Sequence, residues 1–153
     1  MTSPADRLAP LRRRAALLED RAAQALSAAL GRHAQAEARH AELCRYEAEY
    51  AERDLPNATA IGALRQQAAF LARLREAVRF QAEASRRCAE ELERVRACWL
   101  ETHQEVEKLD RLVSQFAREA QRQEARRQGR EMDEAAIRSH LARGHRLAAG
   151  AAS

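Results

Sequence analysis

The chain has 153 residues, of which 33% are charged and only 4% aromatic, with Lys+Arg 27 against Asp+Glu 23 and a net charge of +4 at pH 7. So much charge with so few rings excludes a large globular core and points to long helices or a coiled coil, expected as one elongated domain. The basic residues are interleaved with carboxylates, so the overall basicity reads as a solvated helix face rather than as a nucleic-acid footprint.

The first predicted element is a helix over about 6–53. Leu8, Ala15, Ala22, Ala29, Ala36, Leu43 and Tyr50 keep a seven-residue period along it, with Leu11, Leu18 and Ala25 joining at its start. Gly31 weakens this helix by about 1 kcal/mol relative to alanine without breaking it. Proline is costly inside a helix, so Asp54-Leu55-Pro56-Asn57 is the strong break between residues 11 and 128. A turn is expected at about 54–58, with Asn57 or Thr59 capping the second helix.

That second helix is predicted over about 59–128 or longer, ahead of a basic tail to 153. Leu64, Leu71, Val78, Ser85, Leu92, Trp99, Val106 and Val113 recur every seven residues. Three residues after each stand Gln67, Leu74, Gln81, Cys88, Val95, Thr102, Leu109 and Phe116. This 3-4 repeat is the pattern of a left-handed coiled coil, in which Trp99 is a packing residue. The fold class is therefore all-α, a long antiparallel two-helix hairpin whose second helix is the longer, roughly 100 Å against 70 Å. A tight turn at Pro56 places residues opposite each other when their numbers add to about 114, which sets Leu8 level with Val106 and leaves residues after about 110 projecting. Val113, Phe116 and Ala120 prolong the seam, and residues 117–146 hold eight arginines against five carboxylates. The last ten residues are expected to be disordered.

Some apolar stripes exceed what two helices need. Leu30, Ala34, Ala41, Cys44 and Ala48 form one; Leu43, Tyr46 and Tyr50 form a second; Phe70 and Ala77 flank the seam of the second helix, with Phe80 on another side. Two readings are open: a broader core whose tyrosine hydroxyls reach water, or an exposed contact patch.

No catalytic residue, cofactor site or metal site is expected. Gly-rich phosphate loops, Ser-His-Asp orders and Cys-x-x-Cys pairs do not occur. His33, Glu37 and His40 share a stripe, but a helical di-metal site needs two Glu-x-x-His pairs and two further glutamates, so a solvated face is the better reading. Arg12-Arg13-Arg14 and the arginines after 117 are read in the same way rather than as a nucleic-acid interface. Cys44, Cys88 and Cys98 are odd in number and fit free thiols in a reducing cytoplasm. No apolar stretch approaches a membrane span, and the N-terminus lacks the apolar core of a secretory signal.

Leu43-Cys-Arg-Tyr46-Glu-Ala-Glu-Tyr50, the break, Gln66-Gln-Ala-Ala-Phe70-Leu-Ala-Arg-Leu74, Trp99 in register, and Arg130-Glu-Met132-Asp133-Glu134 together resemble the FliJ family over roughly residues 5–140. The resemblance implies a coiled-coil stalk and escort chaperone of flagellar type III protein export, serving flagellum assembly, motility and chemotaxis. It implies three partners: a FliI-like export ATPase ring, a FlhA-like export gate and export chaperones. It also implies a cytoplasmic place with peripheral contact to a membrane complex.

Carried over, the gate surface falls on Leu43, Tyr46, Tyr50, Phe70, Leu74 and Ala77. Arg39 and Gln81 belong to the same surface but depart from the family's glutamine and histidine. The contact-patch reading of the surplus stripe stems from this resemblance. The candidate ring contact is the arginine-rich end, Arg118, Arg122, Arg126, Arg127, Arg130, Met132, Asp133 and Glu134. Alternatives are an injectisome stalk protein, or a structural coiled coil that dimerises through its overhanging seam.

Overall fold

The computed structural model describes residues 4–53 and 60–151, as two helices, α1 (Pro4–Ala51) and α2 (Ile61–Ala151). They pack against each other as an antiparallel helical hairpin. The expected turn at 54–58, with Pro56 and the candidate caps Asn57 and Thr59, lies outside the described residues. Pro4 opens α1, where a missing N–H costs nothing, and Pro10 is carried within the helix. None of the described residues is left-handed, and no helix is long and apolar enough to cross a membrane.

The chain divides into two compact units, residues 14–106 and residues 1–13 with 107–153. In the first, α2 buries the expected seam: Leu92 is the most enclosed large side chain, and Leu71, Leu74, Val78, Val95, Trp99 and Val106 are half-buried around it. Trp99 stacks on His103 with ring centroids 5.1 Å apart. On α1 the seven-residue stripe is also the inner one, with Ala29 and Ala36 buried and Ala15, Ala22, Leu43 and Tyr50 half-buried. Alanine at its centre lets the helices approach closely enough to enclose Leu92.

The companions of that stripe differ from the expected ones. Leu11 and Leu18 are 53% and 44% exposed, and Ala25 is exposed. The positions four residues after each stripe member face inward instead: Glu19, Leu26, His33, His40 and Glu47. A helix places i+3 and i+4 on opposite sides of residue i, and here the polar side won. Its side chains have partners across the seam. Glu19 meets His103 at 2.6 Å, and Arg75 donates to Glu47 at 3.1 Å.

The stagger is also different from the simple rule. Ala36 accepts from Gln81 and Glu91 accepts from Arg32, so facing numbers add to 117 and 123 rather than 114. The offset begins where the helices first meet, with Arg53 level with Gln67, whose amide donates to its carbonyl at 3.2 Å. The first residues of α2 therefore run past the end of α1, which explains why Leu64 and Ile61 are 46% and 68% exposed although Leu64 keeps the heptad register.

In the second unit, Arg12 donates to Asp110, and Val113 and Phe116 are half-buried. The numbers of Arg12 and Asp110 add to 122 rather than 114, so the register expected from a tight turn does not hold in this unit either. Ala120 is exposed, as is every residue from 117 to 151. Residues 144–151, expected to be disordered, are helical. Alanine, arginine and glutamate favour helix, and no proline interrupts the chain after 56.

Gly31 lies in mid-helix on the exposed side, and a Cβ built there meets nothing within 4 Å. Gly31→Ala should therefore stabilise the hairpin by about 0.5–1 kcal/mol, the ordinary glycine penalty in a helix interior. A rise in thermal midpoint checks it; an unchanged midpoint would mean that this turn of α1 is already frayed.

Candidate functional site

Near the C-terminal end of α1 the packing changes from alanine to rings. Tyr50 is half-buried and meets Phe70 of α2 with centroids 4.5 Å apart and planes tilted by 46°. Tilted rings at this distance are a favourable aromatic geometry. This contact ties the two helices where the seam ends, and it leaves Phe70 45% exposed. Tyr46, one turn before Tyr50, is 46% exposed and donates its hydroxyl to Glu42 at 3.1 Å. A shallow cleft of about 230 Å³ runs between Tyr46, Tyr50, Phe70 and Leu74, with Glu49 and Arg53 at its edge.

Four of the six expected gate residues are thus brought together. Leu43 and Ala77 are half-buried in the seam and do not line this cleft. Gln81 is also half-buried, tied to the Ala36 carbonyl at 3.2 Å, whereas Arg39 is exposed. The small-residue stripe divides: Leu30, Ala34, Ala41 and Ala48 are exposed and only Cys44 turns partly inward. Phe80, 75% exposed, stands apart.

Charge is arranged unevenly around the cleft. Arg45 pairs with Glu49 at 3.8 Å, and Arg75 pairs with Glu47 at 3.1 Å. Arg53 instead lies over the Tyr50 ring, 5.5 Å from its centroid, a cation–π contact that the heptad reading did not single out. The available signal was an arginine three residues after a tyrosine at a helix end, which puts both on one side.

The arginine-rich end is a different kind of surface. Arg118, Arg122 and Arg126 succeed one another at four-residue steps along a groove of about 490 Å³ with Gln115, Glu119 and Gln123. Arg127 points elsewhere, shared between Glu124 at 3.1 Å and Glu131 at 3.6 Å. Met132 is 73% exposed, and Arg130, Asp133 and Glu134 are exposed with it. The eight candidates therefore occupy an exposed helix and do not form one pocket.

The His33–Glu37–His40 stripe is not a solvated face. His33 and His40 turn into the seam, with His33 reaching Glu37 at 3.5 Å and His40 touching Cys44 at 3.6 Å. Among the described residues no three His, Cys, Asp or Glu side chains converge as metal ligands. Cys44, Cys88 and Cys98 are free thiols. On the outer face of α2, hydrogen bonding from Arg86 holds the Glu83 carboxyl below its usual range, as in any exposed i,i+3 pair.

A family model described as Flagellar FliJ protein matches residues 4–145. No curated protein and no solved structure matches the chain.

Proposed function

The chain belongs to the FliJ family, a non-catalytic component of flagellar protein export, and from that premise we propose that it works as a cytoplasmic stalk and escort with two working ends. The end near Tyr46, Tyr50, Phe70 and Leu74 contacts the export gate at the membrane. The arginine-rich end, from Arg118 to Glu134, contacts the ring of the export ATPase. Export chaperones are its further partners, and flagellum assembly and motility depend on it.

The observation that carries this reading is the surface around Tyr46 and Phe70. Each leaves nearly half of a large ring exposed beside a cleft, whereas the neighbouring seam residues Tyr50 and Leu74 are half-buried. Clustered aromatics commonly dominate interface energetics. For the ring, a two-helix hairpin has no sixfold symmetry, so each subunit of a hexamer around it meets a different face. Such an element biases the subunits toward different states without chemistry of its own.

Tyr46→Ala tests the gate contact with little structural cost, because the side chain is half exposed and its hydrogen bond is a local one to Glu42. Binding to the cytosolic part of the gate should weaken by about 2 kcal/mol, roughly 30-fold, with an unchanged melting curve. Motility in soft agar should fall with it. Full gate binding by a folded Tyr46→Ala protein would remove this surface from the interface.

A further inference from the structure

The cleft between Tyr46 and Phe70 continues into a larger one of about 670 Å³, floored by Tyr50 and Phe70 and walled by Arg53, Arg65 and Arg73. No described carboxylate lines it. The three guanidiniums are exposed, and none makes an ion pair with a described carboxylate, whereas the neighbouring Arg45 and Arg75 are both neutralised. Glu52 and Glu76, close to these arginines in sequence, lie outside its lining. The cleft also sits beside the start of α2, whose first turn carries no acidic residue to offset the positive end of the helix dipole.

Three arginines that pair with no described carboxylate, a helix N-terminus and an aromatic floor define a ligand with two properties. It must bring several negative charges, since guanidiniums held together without counter-charge repel one another and bind carboxylates in a fork geometry. It must also bring one apolar side chain, since the rings of Tyr50 and Phe70 offer area rather than hydrogen bonds. We infer that this cleft is the docking site for an acidic peptide segment of a partner protein, its carboxylates on Arg53, Arg65 and Arg73 and one large apolar side chain on the Tyr50–Phe70 pair. The inference rests on the gate-contact reading for the identity of the partner, but not for the chemistry of the peptide. The Gln67 amide, donating to the Arg53 carbonyl, helps to hold the arginine-bearing ends of the two helices in place.

The test uses the full-length chain and a short fluorescent peptide with one central leucine flanked by glutamates. A second peptide has glutamines for the glutamates. The acidic peptide should bind, more weakly as salt rises, and the glutamine peptide should bind at least about tenfold more weakly. Arg73→Glu and Arg65→Glu should each cost about tenfold or more, and Arg73→Gln less, with helicity and melting unchanged because all three arginines are exposed.

Equal affinity for the two peptides, or unchanged affinity in both charge-reversed proteins, overturns the proposal. So does binding to phosphatidylglycerol vesicles, or self-association abolished by Arg73→Glu, in the absence of any peptide binding. Gate binding is measured in parallel on the same proteins. If Tyr46→Ala loses the gate while Arg73→Glu keeps both gate and peptide, the cleft assignment fails and the gate reading stands. If Arg73→Glu loses the peptide while Tyr46→Ala keeps the gate, the cleft stands and the gate reading fails.

Discussion

Leu92→Asp is expected to unfold the hairpin at temperatures where the native chain is stable. Leu92 is 6% exposed and, with Ala29 and Ala36, is one of three enclosed apolar residues among those described. An aspartate there loses the transfer energy of the leucine and places a carboxylate without a partner against alanine, a combined cost of roughly 3–5 kcal/mol. A hairpin with so little enclosed core has a small margin. Helicity measured by circular dichroism should be mostly lost at 37 °C.

Val95→Asp makes the comparison quantitative. Val95 is half-buried, so its carboxylate reaches water at the seam edge and the cost should be smaller. Equal losses in both variants would mean that the seam is dry throughout, and an unchanged Leu92→Asp melt would place Leu92 outside it.

The seam of α2 was legible because Leu, Val and Trp at alternating three- and four-residue steps leave one choice of inner face. Leu64 was the exception. Its register was right, but stagger is not encoded in a single helix's pattern, and α1 does not reach that level. The seam of α1 was half legible. Alanines at a seven-residue period marked the centre, yet hydrophobicity favoured Leu11 and Leu18 over Glu19, His33 and Glu47 as companions. Glu19 and Glu47 are held by partners on α2, His103 and Arg75, which a reading of α1 alone could not supply.

The site shows the same division. Tyr46 and Phe70 exceeded what a two-stranded seam needs, and both are exposed. Leu43 and Ala77 belong mainly to the seam, and periodicity alone does not separate them from the patch. Arg53, Arg65 and Arg73, which pair with no described carboxylate, were hidden by the chain's even mixture of charges. Pairing is a three-dimensional property, and only the geometry shows that Arg45 and Arg75 have carboxylates while these three have none among the described residues.

Deleting residues 117–153 is expected to leave the hairpin folded and to abolish most stimulation of the export ATPase. Every residue from 117 to 151 is exposed, so removing them takes away helix but no enclosed side chain. The helical signal should fall roughly in proportion to length, while the melting midpoint stays within about 2–4 °C, the shift that about 1 kcal/mol produces in a small protein. Stimulation should fall because Arg118, Arg122 and Arg126 form an exposed ladder at one-turn spacing, suited to a surface of opposite charge. Charge reversal of these three arginines in the full-length chain separates their role from that of length. If stimulation survives both changes, the ring contact moves to the paired helices of residues 14–106, around Glu19 and His103. If the truncated chain melts far below the full-length one, the exposed helix is covered in solution by a second copy through Val113, Phe116 and the residues beyond them, and a concentration-dependent midpoint of the full-length chain will show it.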